Sequence, residues 1–223
     1  MFAVLATTSV KGLDLAEALS FARRHGDPRR EDTRMGPVVT RAQQAAASDG
    51  IRRLMREAVA VCGGPEQPAL DGVDADKSAF VAPTLLRIDD ATEAEAVHEV
   101  EVFGPAATVV PYRDEQEAAV LVRRGGGSLV ASIYGEDRNF LARMAREIGP
   151  NHGRLLLVDP AIAATHSGHG IVMPQCNHGG PGRAGNGEEL GGLHGLRLYH
   201  QRLAVQGSNE LLASLQATAA SLH

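Results

Sequence analysis

The chain has 223 residues, 43% of them from the apolar set and 22% charged, and a net charge of −5 from 22 basic and 27 acidic side chains. These values fit one large or two small globular domains and exclude bulk disorder and a fibrous repeat. With no basic excess, 4% aromatics and no Trp, both the charge that neutralises phosphates and the rings that stack on bases are lacking, which excludes a general nucleic-acid binder.

The opening residues 1–10 are mildly apolar but carry no basic segment before them and no small-x-small site after them, so no signal peptide is expected. No apolar run approaches the roughly 18 residues of a membrane helix. The two cysteines, Cys62 and Cys176, cannot form a disulfide framework, and a reducing, cytoplasmic setting is expected. Residues 13–25 have helical spacing, and the polar, proline-broken stretch 26–34 reads as a loop. Thr40 can cap a helix running to about Ala58, with Ala46, Ile51, Leu54 and Met55 on its apolar side. The run 58–62 closed by Gly63-Gly64 reads as a buried strand, and 79–88 as another, with Pro83 placing it at an edge or bulge.

Helix and strand then alternate: a short helix over 93–97, a strand over 106–111, a helix over 114–123, a strand over 128–134, a helix over 137–148 stopped by Gly149-Pro150, and a strand over 154–158. This order predicts an α/β domain with a mostly parallel sheet. Residues 160–188 are irregular and crowded with glycine, and so long an irregular segment in a compact domain is more often functional than idle. A strand over 196–205 and a closing helix over 209–222 complete the pattern.

Several motifs compete for the chemistry. Gly180-Pro181-Gly182-Arg183-Ala184-Gly185 matches G-x-G-x-x-G, but no strand precedes it, further glycines weaken any following helix and no acid lies about 20 residues on, so a dinucleotide fingerprint fails. His166, His169, Cys176 and His178 are all possible metal ligands, yet their spacing is not that of a zinc site, and no metal is expected. Cys62 sits in an apolar strand pattern and reads as an inert thiol; Cys176, beside Gln175, Asn177 and His178, is less easily dismissed. In His98-Glu-Val-Glu101-Val-Phe103-Gly104-Pro105, Glu101 could accept hydrogen bonds from a sugar diol and Phe103 could stack on a flat ring, or the pair could be a polar helix end followed by a core Phe.

The run Glu101-Val-Phe103-Gly104-Pro105, followed by a strand and the acid-rich segment at Asp114, resembles the E-x-F-G-P region of the NAD(P)-dependent aldehyde dehydrogenase superfamily. The glycine-rich run 178–192, with Tyr199-His-Gln-Arg-Leu-Ala-Val-Gln-Gly207, resembles a narrower branch: the aldehyde dehydrogenase domain of the phenylacetate-degradation ring-opening enzyme and the 3,4-dehydroadipyl-CoA semialdehyde dehydrogenases. The resemblance covers about 26–207. It implies the C-terminal portion of an aldehyde dehydrogenase catalytic domain, divided into a divergent segment 1–34, a partial catalytic domain 35–195, and an oligomerisation strand with a C-terminal helix over 196–223.

The resemblance further implies that Glu101 binds the nicotinamide-side ribose and Phe103 packs beside the nicotinamide ring of NAD(P). The loop containing His178, Gly179 and Gly180 would line the aldehyde side. Homo-oligomers, or pairing with a missing N-terminal half, are the expected partnerships, with a small aldehyde as substrate and neither nucleic acid nor membrane as partner. The family's nucleophilic cysteine, general-base glutamate, oxyanion asparagine and cofactor domain all precede the position of Met35-Gly36-Pro37, and residues 1–34 contain no cysteine. No catalytic residue is therefore assigned in this chain, NAD(P) binding is expected to be weak or absent, and the chain alone is expected to be inactive. The alternative reading is a non-catalytic oligomerisation or binding module that docks onto dehydrogenase subunits through 196–205.

Overall fold

The computed structural model describes residues 3–6, 25–168, 179–185, 196, 200 and 204–220. The elements are β1 (Ala3–Ala6), α1 (Arg41–Leu54), β2 (Val59–Cys62), β3 (Thr84–Arg87), α2 (Ala96–Glu99), β4 (Ala106–Pro111), α3 (Glu115–Arg124), β5 (Ser128–Tyr134), α4 (Arg138–Ile148), β6 (His152–Val158) and α5 (Asn209–Ala220). Helix starts follow local chemistry. Thr40 Oγ1 accepts from Gln43 N at 3.1 Å while Gln43 Oε1 accepts from Val39 N at 3.1 Å, a near relative of the reciprocal capping box. Asp114 Oδ1 accepts from Glu117 N at 2.8 Å to start α3, and Asp137 Oδ1 from Asn139 N at 2.8 Å to start α4.

A four-stranded sheet has the order β1-β4-β3-β2, and β5 pairs with β6 in a second sheet. β1 with β4, β3 with β4 and β5 with β6 run parallel, while β2 joins β3 antiparallel. The expected mostly parallel α/β fold is thus present. Thr84 stands opposite Ala106 and Arg87 opposite Val109, which fixes where β4 leaves the turn at Gly104-Pro105. The predicted strand over 79–88 is cut to 84–87; Ala79 instead accepts from Val38 N at 2.8 Å, outside any ladder. The helix expected over 13–25 lies outside the described residues except for its last position. So does the strand expected over 196–205, apart from Leu196, His200, Ala204 and Val205.

Leu54, Leu86, Ile88, Val97, Val100, Val110 and Leu121 form the core around the first sheet. Ala118, Ala119, Ile133, Leu141, Met144 and Ile148 form a second cluster between α3, α4 and β5. Among the described residues, no helix is long and apolar enough to cross a membrane.

Among the described residues His25 and His98 are buried and His152 is half-buried. His98 is 8% exposed, and its Nε2 lies 3.2 Å from the Ala91 carbonyl. A carbonyl only accepts, so the neutral ring carries its proton on Nε2. His152 Nδ1 lies 2.6 Å from Ser128 Oγ. Burial pushes the His98 and His152 imidazoles below their ordinary value, opposed at His98 by the Ala91 carbonyl. The fold therefore refuses protons that the unfolded chain accepts below about pH 6.5. Stability should be full above that pH and fall as pH drops towards the lowered folded values. Thermal melts from pH 8 to 5 should show this decline. His98→Gln, whose amide can still donate to Ala91, should flatten it; a flat or rising wild-type profile would contradict the reading.

Candidate functional site

The segment after α2 is extended and alternates. Val100 is buried and Val102 half-buried, whereas Glu101 and Phe103 are exposed, Phe103 at 70%. The exposed positions alternate with the half-buried Val102 up to the bend at 103–105. The inward side is seated on α1. A Cβ on Gly50 would stand 2.9 Å from Val102 Cγ2, and one on Gly104 3.0 Å from Ala47 Cβ. Gln43 Nε2 donates to the Phe103 carbonyl at 3.3 Å. An apolar ring so exposed, with its backbone so firmly held, is not a core Phe; of the two readings open at the sequence, the core one falls.

The glycine run lies across the β5–β6 sheet. A Cβ on Gly153 would fall 1.6 Å from Gly179 O, and one on Gly180 2.3 Å from Ser128 O. Gly127, at φ +107°, and Gly182, at φ +60°, occupy the region that favours glycine, and their notional Cβ atoms meet Pro181 O and Gly126 O at 2.1 Å. The glycines at 127, 153, 180 and 182 thus serve close backbone approach. From this seat Arg183 N donates to Gly126 O at 2.9 Å. The Arg183 side chain crosses to α2, donating through Nη1 to His98 O at 2.8 Å and through Nη2 to Glu99 O at 2.8 Å. The structure therefore joins Gly179 and Gly180 to the Glu101–Phe103 segment through Arg183, a residue that sequence reading passes over as a filler of the glycine motif. Its one visible signal is a lone cation among glycines.

His178, like His169 and Cys176, lies outside the described residues. His166 Nδ1 accepts from Gly168 N at 3.1 Å, and its ring sits edge-on to Tyr134 at 6.2 Å. Cys62 is half-buried on β2 with Sγ 3.9 Å from Pro83 O, and β3 separates its strand from β4.

The sequence model of the aldehyde dehydrogenase family matches residues 13–205. The chain is 52% identical over 158 residues to a 3,4-dehydroadipyl-CoA semialdehyde dehydrogenase of Aromatoleum evansii, covering 70% of this chain and 30% of that protein. It is 44% identical over 188 residues to Protein MaoC of Klebsiella aerogenes, covering 81% of this chain and 52% of that one. The chain thus spans between about a third and a half of the length of these curated relatives. A betaine aldehyde dehydrogenase of Staphylococcus aureus, solved in complex with NAD+, superposes with a TM-score of 0.70 at 25% identity, over 93% of this chain and 41% of that one. This chain belongs to the aldehyde dehydrogenase family.

Proposed function

We propose that this chain supplies the nicotinamide-side wall of an aldehyde dehydrogenase active site that acts on a CoA-linked semialdehyde with NAD(P)+ as acceptor. The observation that carries the reading is the exposed Glu101–Phe103 pair, on a segment that follows the α2 carbonyls tied by Arg183 to the glycine loop. The donor set fits a nicotinamide nucleoside: a carboxylate accepts from both hydroxyls of a ribose diol, and a bare phenyl face packs on a flat ring. When bound, NAD(P)+ supplies the hydride acceptor. Glu101 then fixes the sugar, Phe103 limits the tilt of the ring, and the Gly179–Gly180 backbone closes the aldehyde side. The name of the Aromatoleum evansii relative supports the substrate class, and the NAD+ complex of the Staphylococcus aureus neighbour supports the cofactor.

The same reading includes that these residues do not turn over alone. Aldehyde oxidation through a thiolate needs the nucleophile, an oxyanion donor and a base to act as one unit. Cys62, on a strand behind β3, is not placed as that nucleophile.

Purified chain given NAD+ or NADP+ and a CoA-linked semialdehyde should show no turnover. Turnover should appear once a co-expressed polypeptide supplies the cysteine-bearing part that the family resemblance implies. In that complex Phe103→Ala should raise the KM for NAD(P)+ about tenfold, as expected for loss of one stacked ring, while leaving the melting temperature unchanged because the ring is exposed. Turnover by the chain alone would overturn the inactivity. Co-elution without turnover would favour the docking-module reading instead.

A further inference from the structure

We infer that Arg183 is a positioning residue: it fixes the direction in which Glu101 and Phe103 leave α2, by gripping the last carbonyls of that helix from the glycine loop. The inference rests on the cofactor reading above for its consequence, but not for its geometry.

Three features make the grip specific. The last carbonyls of a helix have no partner within it, and a cation donating to them satisfies them with charge-assisted hydrogen bonds. Arg183 meets two successive carbonyls, His98 O and Glu99 O, each at 2.8 Å. These are the final residues of α2, and Glu101 follows two positions after Glu99. A guanidinium presents parallel donors in a fixed plane, so two contacts set a direction where one contact sets only a distance. The arginine is itself immobilised. Its backbone N donates to Gly126 O at 2.9 Å, and its stem lies over Gly126, with Cδ 3.5 Å from the place where a Cβ would stand. A Cβ at 126 would meet the stem at ordinary contact distance, but φ +71° favours glycine there, and the Gly126 carbonyl anchors the Arg183 backbone.

The chemistry gives the grip a use. A nicotinamide ring held between Phe103 and the glycine loop needs a set separation between those walls, and Arg183 is the covalently continuous part of one wall bonded to the other. Flexing the loop would otherwise change ring tilt and ribose contact independently. Through Arg183 the two move together.

The test uses the full chain with 3-fluorophenylalanine in place of Phe, comparing wild type, Arg183→Ala and Arg183→Lys. Hydrogen exchange by mass spectrometry on the chain alone reads the backbone; the fluorine resonance of Phe103, assigned with Phe103→Leu, reads the ring during titration with NAD+ of the chain in complex with the co-expressed cysteine-bearing polypeptide. Loss of two charge-assisted bonds should speed exchange across 98–104 about tenfold or more. Exchange in α4 should stay at its wild-type value, while the melting temperature falls by a few degrees, as expected for lost charge-assisted bonds. The NAD+ response of the Phe103 resonance should weaken about tenfold, with Arg183→Lys intermediate because an ammonium satisfies one carbonyl and sets no plane. If exchange over 98–104 is unchanged in Arg183→Ala, or rises equally throughout the chain, the positioning role is wrong. If the wild-type resonance ignores NAD+ even in that complex while exchange in the chain still localises to 98–104, Arg183 positions the segment and the cofactor reading alone fails.

Discussion

Replacing Gly153 by alanine should unseat the glycine loop. A Cβ there would lie 1.6 Å from Gly179 O, 2.7 Å from Gly179 C and 2.9 Å from Leu129 O. All three are backbone atoms, so no side chain can swing clear. Either β6 shifts against β5, where Ser128 stands opposite His152, or the 179–182 backbone lifts away. The second course costs less because it leaves the ladder intact, but it breaks the bond from Arg183 N to Gly126 O and withdraws the guanidinium from α2. Overpacking of this kind costs about 3 kcal/mol when nothing nearby can yield. Urea denaturation should show that loss, and proteolysis should cut the 179–185 segment faster. Gly36→Ala is the control: nothing lies within 4 Å of its Cβ and its φ is ordinary. It should change stability by less than about 0.5 kcal/mol. Equal tolerance of the two substitutions would mean that the loop is not seated as described.

The parts of this protein that can be read from sequence are those fixed within a few residues. Thr40, Asp114 and Asp137 mark helix starts because each bonds a backbone amide two or three positions on. β4 and β5 occupy the expected 106–111 and 128–134 because apolar residues and flanking turn signals agree there. The short helix is different. Sequence places it over 93–97, yet it spans Ala96–Glu99. The Glu57 carboxylate takes the amides of Glu95 and Ala96, at 3.1 and 2.8 Å, from 38 and 39 positions away, and no local pattern encodes that. The site shows the same division. Glu101 and Phe103 stand out as a motif, but whether Phe103 is core or surface depends on Gly50 and Ala47 receiving its neighbours. Arg183 reaches across 84 and 85 positions, so its role is invisible until the fold closes.

Arg124→Ala should be among the most damaging substitutions of a partly exposed side chain in the chain. Arg124 Nη1 donates to Ala91 O at 2.8 Å and also to Thr92 O, and Nη2 donates to Ala94 O at 2.6 Å. Ala91 and Ala94 are 3% and 7% exposed, so water replaces the lost donors poorly. Hydrogen bonds to a charged donor contribute about 1.5–3 kcal/mol each and do not simply add. A loss of about 3 kcal/mol is expected, which for a domain of this size lowers the melting temperature by about 6–12 °C. Arg124→Lys should recover less than half, because an ammonium cannot span three carbonyls. The effect should also travel. Ala91 O is the shared acceptor of Arg124 and His98, and His98 O is gripped in turn by Arg183. Segment 91–99 is thus held near its start by Arg124, at its middle by Glu57 and at its end by Arg183, each from a different part of the chain. Cutting the first hold should loosen hydrogen exchange from 91 through 104 as one block. If exchange rises only around 91–95, the holds act separately, and the route from α3 to Glu101 is not mechanically continuous.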